Sequence, residues 1–279
     1  MDKQEITIAL YQQDIRSDLP EENRNRCRAF LENSDQELDI IVAPETFSCG
    51  FGDSMALMAE EPDGPTMQFA AAMANRFDAL FVATWPIRDG GKVYNRMHWV
   101  RPDGTYGFYD KAHTFRVSGE SAIIEGGRER RVFEWRGWRI KPAVCYDLRF
   151  PKWLRNGVRV EERWKLPDDN VLLCAKDMDV GLDYDLMIVC ANWPGTRFEA
   201  WRTLLKARAI ENLSYVVGVN RVGVDNVGIE YTGNSAVVDF KGLSIVECEA
   251  KKEQLITAKI DKESLMTFRR HWPFYLDFD

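Results

Sequence analysis

The chain has 279 residues, a formal net charge of -7 and a hydrophobic fraction of 45%. That length suits one large domain, and the acidic balance excludes a general binder of nucleic acid or of anionic membranes, both of which need a basic face. No apolar run reaches bilayer-spanning length and no charged-then-apolar leader opens the chain, so a soluble, cytoplasmic protein is expected.

Residues 6–11 are apolar and β-rich and read as an opening strand. Pro20 heads a polar-faced helix over 20–31, a place where its missing N–H costs little. A short strand over 38–42 ends at Ala43-Pro44-Glu45, an Ala- and Met-rich helix covers 66–77, and a buried strand covers 80–85. Residues 93–100 and 106–109 flank Arg101-Pro102-Asp103-Gly104 as a hairpin, and 132–135 and 138–144 flank Arg136-Gly137 as another. The latter runs straight into Cys145, with a helix expected from Pro151. Then come a strand over 186–191, a helix over 199–212, a strand over 215–219, a hairpin of 236–238 with 243–246, a strand over 255–260 and a helix over 262–268. Strand–helix–strand units mixed with hairpins imply an α/β fold of two mixed sheets with helices outside. No linker divides the chain, so residues 1–279 read as a single domain. The aromatic stretch Trp272-Pro273-Phe274-Tyr275 is too apolar for a free end and is expected to dock as a tail over about 270–279.

Cys27, Cys49, Cys145, Cys174, Cys190 and Cys248 contain no Cys-x-x-Cys pair, and His98, His113 and His271 are the only histidines. No metal site and no cofactor are expected from that pattern. Three segments place reactive side chains where apolar strands end, which is where α/β folds bind ligands. They carry Glu45, Lys111 and Cys145. Taken singly each has an ordinary structural reading: a salt-bridge carboxylate, a solvated ammonium, a buried inert thiol. Taken as a site they supply a general base, an oxyanion partner and a nucleophile whose thiolate a neighbouring cation would favour. Cys49 and Cys190 lie close to these segments in sequence and read as small buried residues.

The combination Pro44-Glu45, Lys111-Ala112-His113-Thr114-Phe115 and Cys145-Tyr146-Asp147-Leu148-Arg149-Phe150, continued by Ala191-Asn192-Trp193-Pro194 and Asn220-Arg221, resembles the nitrilase superfamily of carbon–nitrogen hydrolases. Within it, Trp135-Arg136-Gly137-Trp138 and Asn192-Trp193-Pro194 resemble the bacterial omega-amidase branch. The resemblance implies a four-layer αββα sandwich, a homodimer or larger homo-oligomer, and a small amide substrate such as 2-oxoglutaramate, hydrolysed through a cysteine thioester. It implies Cys145 as nucleophile, Glu45 as general base, and Lys111 with the Tyr146 N–H as oxyanion site. Glu120, placed ahead of Gly127, stands where a supporting glutamate is found. An acidic substrate calls for an arginine, with Arg116 and Arg197 as candidates and Arg149 beside the nucleophile. Phe47, Tyr146, Asn192 and Trp193 would complete the pocket. Asp147, Arg208 and Glu211 read as structural. The branch pattern also has a shorter link after the Cys elbow, so about 157–181 reads as an insertion.

Other readings stay open. The same triad serves N-carbamyl amino acid and aliphatic amide hydrolases. A Cys–His hydrolase would pair Cys145 with His113 instead. A non-catalytic binding module on this fold would not need the triad intact.

Overall fold

The computed structural model describes residues 2–157 and 181–277. The expected insertion at about 157–181 falls, apart from its ends, outside them. Each early strand is apolar on both faces. Ile6, Ile8 and Leu10 of β1 (Glu5–Gln12) enter one core cluster, and the alternate Ala9 and Tyr11 enter another. The same division holds in β2 (Ile40–Val42) and β3 (Leu80–Asp89), where Ile40, Val42, Leu80 and Val82 face one way and Ile41, Phe81 and Ala83 the other. Alternating side chains buried on both sides mean a sheet covered on both faces.

One cover is helical. Cys27 and Leu31 of α1 (Pro20–Glu32) and Met67, Ala70 and Met73 of α3 (Pro65–Phe77) fill the outer cluster, with the one-turn α2 (Ser54–Leu57) between them in sequence. The other cover is a second sheet, whose Ile140, Val144, Ile188 and Val217 share the inner cluster. On that sheet's far side lies α6 (Phe198–Asn212), and its Trp201 and Leu205 press so closely on β9 (Tyr215–Asn220) that a Cβ on Gly218 would sit 2.7 Å from Leu205. The layers are therefore helix, sheet, sheet, helix, the αββα sandwich expected.

The two sheets repeat one plan. The first runs β14 (Gln254–Asp261), β1, β2, β3, β4 (Lys92–Val100), β5 (Tyr106–Asp110), with β1–β2–β3 parallel and the flanking pairs antiparallel. The second runs β6 (Phe133–Trp135), β7 (Trp138–Val144), β8 (Leu186–Ala191), β9, β12 (Ala236–Val238), β13 (Ser244–Glu247), with β7–β8–β9 parallel. The C-terminal strand β14 returns to pair with β1 along its whole length, locking the two halves together.

The structure departs from the sequence reading in a few places. β3 continues past Pro86 to Asp89, because beyond Val82 it no longer has β2 beside it and a missing N–H is tolerated. The helix α4 (Glu120–Ile123) and a two-stranded ribbon, β10 (Val222–Val224) with β11 (Glu230–Thr232), are additional. Pro151 does open a helix, α5 (Pro151–Leu154). The tail divides its aromatics. Tyr275 is buried against Leu182 and Leu213, while Trp272 and Phe274, beyond α7 (Lys262–His271), stay about half exposed. No helix among the described residues is long and apolar enough to cross a membrane.

Candidate active site

β2, β5, β7 and β8 all end at one side of the sandwich, and the residues just past their ends meet there. Pro44-Glu45 follows β2, Lys111 follows β5, Cys145 follows β7 and Asn192 follows β8. Two of these turns are sharp. Thr46 (φ 45°) and Cys145 (φ 44°) both take left-handed backbone conformations that a side chain disfavours. At Cys145 this reverses the chain into a 3-10 turn, Cys145–Arg149, and leaves the thiol at the floor of a cavity.

Glu45, Lys111 and Glu120 are buried and form one ion cluster. Lys111 Nζ lies 2.9 Å from Glu45 Oε1 and 2.9 Å from each oxygen of Glu120. Two carboxylates on one ammonium leave the cluster net negative, and they hold the lysine's pKa up against the burial that opposes its charge. Glu120 is brought to Lys111 by a short loop. Its Oε2 accepts from Phe115 N–H, and downstream Gly127 N–H donates to Lys111 O at 2.9 Å. Only glycine fits at 127, since a Cβ there would stand 2.2 Å from Asp110 O. The Glu–Gly pattern after the lysine thus has a physical basis: its two ends grip the lysine from either side.

Glu45 is held by more than Lys111. Asn95 Nδ2 donates to Oε1 at 2.8 Å and Asn192 N–H donates to Oε2 at 2.8 Å. Asn192 Nδ2 donates to Glu45 O and Thr46 Oγ1, leaving its buried Oδ1 without a partner. Burial pushes the Cys145 thiol well above its usual range, and the Glu45 charge pushes the same way. Lys111 opposes them but does not prevail. The ammonium's charge is already shared by two carboxylates, which limits its pull on the sulfur. A thiol becomes a nucleophile when a base beside it takes its proton, and Glu45 is adjacent.

The cavity above the thiol holds about 560 Å³, the size of a small-metabolite site. Of the residues expected there, Lys111, Cys145, Tyr146, Arg149, Asn192, Trp193 and Arg197 line it. Glu45 and Glu120 stand behind Lys111. Two expected residues lie elsewhere. Phe47 is fully buried in the outer core against Phe69, Phe81 and Trp85, because the turn at Thr46 directs it inward. Arg116 is exposed in a 3-10 turn off the cavity wall. Arg149 is not a deep arginine. It is exposed at the mouth, its guanidinium 4.8 Å from the centre of the Trp193 ring, and Arg197 lies 5.4 Å from that of Phe115. Among the described residues neither is paired with a carboxylate.

Other groups on the wall had no motif to mark them. Phe51 sits 5.3 Å from Lys111 Nζ, and the β10–β11 ribbon brings Asp225, Ile229 and Tyr231. Asp225 fastens that ribbon's tip by accepting from Val227 N–H, Ile229 N–H and the Tyr231 hydroxyl.

His113 does not pair with Cys145. Its Nδ1 lies 2.7 Å from Asp147 Oδ1 and its ring stacks on Phe150, so the Cys–His alternative has no geometry to support it. Asp147 is structural, also accepting from Tyr109 and Val144 N–H, and Arg208 donates to Leu148 O and Glu211. Cys49 and Cys190 are fully buried away from the cavity, and burial raises both thiols. Among the described residues no group of three or more His, Cys, Asp or Glu side chains could hold a metal.

A four-layer sandwich that brings a thiol, a carboxylate and an ammonium together past the ends of β7, β2 and β5 has the architecture of a carbon–nitrogen hydrolase. The carbon–nitrogen hydrolase family model matches residues 7–164 and 166–270, and the chain belongs to that family. It is 39% identical over 250 residues to an omega-amidase, YafV, of Yersinia enterocolitica, covering 90% of this chain and 88% of that one. It is 28% identical to a 2-oxoglutaramate amidase of Bacillus subtilis over 97% of this chain and 96% of the other. Among solved structures, XC1258 of Xanthomonas campestris, a CN-hydrolase superfamily protein with an arsenic adduct in its active site, superposes with a TM-score of 0.90. It is 41% identical and the match covers 99% and 98% of the two chains. The chain is an enzyme that hydrolyses carbon–nitrogen bonds of linear amides.

Proposed function

We propose that the substrate is a small amide whose other end carries a carboxylate, of the 2-oxoglutaramate type, and that Cys145, Glu45 and Lys111 cleave it through a thioester. Arg149 and Arg197 carry this reading. They are the cations at the mouth of a cavity whose floor is the thiol, and among the described residues no carboxylate neutralises them. The omega-amidase relatives point the same way.

Glu45 takes the thiol proton as sulfur attacks the amide carbon. The carbonyl oxygen becomes an oxyanion held by Lys111 Nζ and the N–H of Tyr146, at the start of the 3-10 turn. Glu45 gives its proton to the departing nitrogen, which leaves as ammonia. It then draws a proton from water, which attacks the thioester and releases the acid and the free thiol. Glu120 keeps Lys111 charged and placed. Asn192 ties the loop after β8 to Glu45 through its N–H and its Nδ2.

We assign the chain to a homodimer or larger assembly, acting as one domain over 1–279. We place it in the cytoplasm, where the free Cys27, Cys49, Cys190 and Cys248 thiols stay reduced. The test is ammonia release from a panel of omega-amides, neutral aliphatic amides, carbamyl amino acids and nitriles. The expected order places carboxylated omega-amides first. Cys145→Ala abolishes turnover with the circular dichroism spectrum unchanged, and substrate held on a slow variant adds its acyl mass to the Cys145 peptide. An acyl group on Cys49 or Cys190, or no preference for a carboxylated amide, overturns the assignment.

A further inference from the structure

Two uncharged polar residues on adjacent strands are buried behind Glu45. Thr84 lies in β3 and Asn95 in β4, and both are fully enclosed. Asn95 Oδ1 accepts from Thr84 Oγ1 at 2.9 Å, and Thr84 Oγ1 itself accepts from Thr46 N–H at 2.8 Å. On the other side Asn95 Nδ2 donates to Glu45 Oε1 at 2.8 Å and reaches Glu120 Oε1 at 3.4 Å.

The direction of this chain is forced. A backbone N–H can only donate, so the Thr84 hydroxyl must accept there and send its single proton on to Asn95. The amide oxygen is thereby occupied, and the NH₂ end is the one that faces the two carboxylates. The reverse orientation would put a carbonyl oxygen against two anions. Asn95 also accepts from Lys111 N–H through its own carbonyl at 3.0 Å, so one residue touches the base, the supporting carboxylate and the lysine backbone.

Glu45 faces Lys111 from the end of β5, Glu120 from α4, Cys145 from the elbow and Cys190 from β8. Of these Lys111 is the one cation, and it is shared with Glu120. Asn95 adds a donor that does not titrate. We infer that Thr84 and Asn95 are positioning residues that hold the Glu45 carboxylate in place beside the thiol, with Thr84 setting the orientation of the Asn95 amide. This rests on the reading of Glu45 as the general base.

The experiment compares wild type with Thr84→Val, Thr84→Ser, Asn95→Ala and Glu45→Gln, each checked for fold by circular dichroism, using 2-oxoglutaramate. Thr84→Val is expected to lower kcat by about tenfold or more and leave KM within about threefold. The acid limb of its kcat/KM profile moves to higher pH, because a carboxylate that loses a donor is protonated more easily. Thr84→Ser restores both, and Asn95→Ala reproduces the shift even if Thr84→Val fails to fold. A loss of rate with the acid limb unmoved in both Thr84→Val and Asn95→Ala, or full activity in either, overturns the inference and leaves Glu45 as base. An active Glu45→Gln overturns both readings.

Discussion

Arg149 and Arg197 differ from the buried Arg96, Arg208 and Arg269, each paired with a carboxylate, in having no fixed anionic partner among the described residues. Each lies over an aromatic ring, Trp193 and Phe115, which holds a guanidinium flat while leaving its N–H edge free. A planar fork presented in this way suits a carboxylate arriving from solvent. Both are exposed in the free protein, so the contact is weaker than a fully desolvated pair. Arg149→Ala or Arg197→Ala is therefore expected to lower kcat/KM for 2-oxoglutaramate by about tenfold, about 1.4 kcal/mol, and to change it little for a neutral amide of equal length. Steady-state ammonia release on the two substrates checks this. Equal losses on both would assign the arginines to structure.

At the scale of elements, α7 is fastened to the foot of β8 by charge. Arg269 is fully buried and donates to Asp185 Oδ1 at 2.9 Å, to Leu213 O and to Tyr184 O, while Arg139 and Lys262 reach the same carboxylate. These cations hold the Asp185 carboxyl below its usual range despite burial. Arg269→Met removes the buried partner of Asp185 and leaves Leu213 O and Tyr184 O without their donor, while Arg139 and Lys262 still face the carboxylate, so it is expected to cost up to about 3 kcal/mol, read as a lowered Tm. A carboxylate with a depressed folded-state pKa stabilises the protein above its unfolded value near 3.9, and that stability is lost as pH falls through the folded value. Denaturant titrations from pH 6 to pH 3 should therefore show a steeper loss for wild type than for Asp185→Asn; parallel curves would remove Asp185 from the account.

The long elements were legible in sequence because apolar runs bounded by turn residues leave little choice. β8 was read to the residue, and the helices over 20–31 and 199–212 nearly so. What was missed had no pattern to read. β10 and β11 have three residues each and an exposed tip, and their place on the cavity wall depends on tertiary contacts. Glu45, Lys111 and Cys145 stood out because each ends an apolar strand. Thr84 left only a faint signal, a hydroxyl within an apolar run, and Asn95 none, standing beside the polar Arg96 and His98 in β4; nothing local says that the two join at Glu45. Phe47 was misplaced because the left-handed turn at Thr46, which directs it inward, leaves no mark in composition.

For the whole molecule, the exposed Trp272 and Phe274 beside buried Tyr275 leave an aromatic pair, 6.0 Å apart, on the surface. An exposed pair of this kind suits contact with a second copy. Light scattering at micromolar concentration is expected to give at least twice the 32.2 kDa chain mass, and a monomer mass would refute the assembly.

The bonds between Asn192 and Glu45 cross from one sheet to the other, and they join the loops after β8 and β2, which hold matching places in the two repeated sheets. On the proposed mechanism the first sheet brings proton transfer and the second brings sulfur, so neither half could work alone. Parting the layers separates base from nucleophile before any strand need melt. Heat inactivation should consequently precede or accompany the calorimetric transition and never trail it, which makes residual activity a direct gauge of how tightly the sandwich is closed.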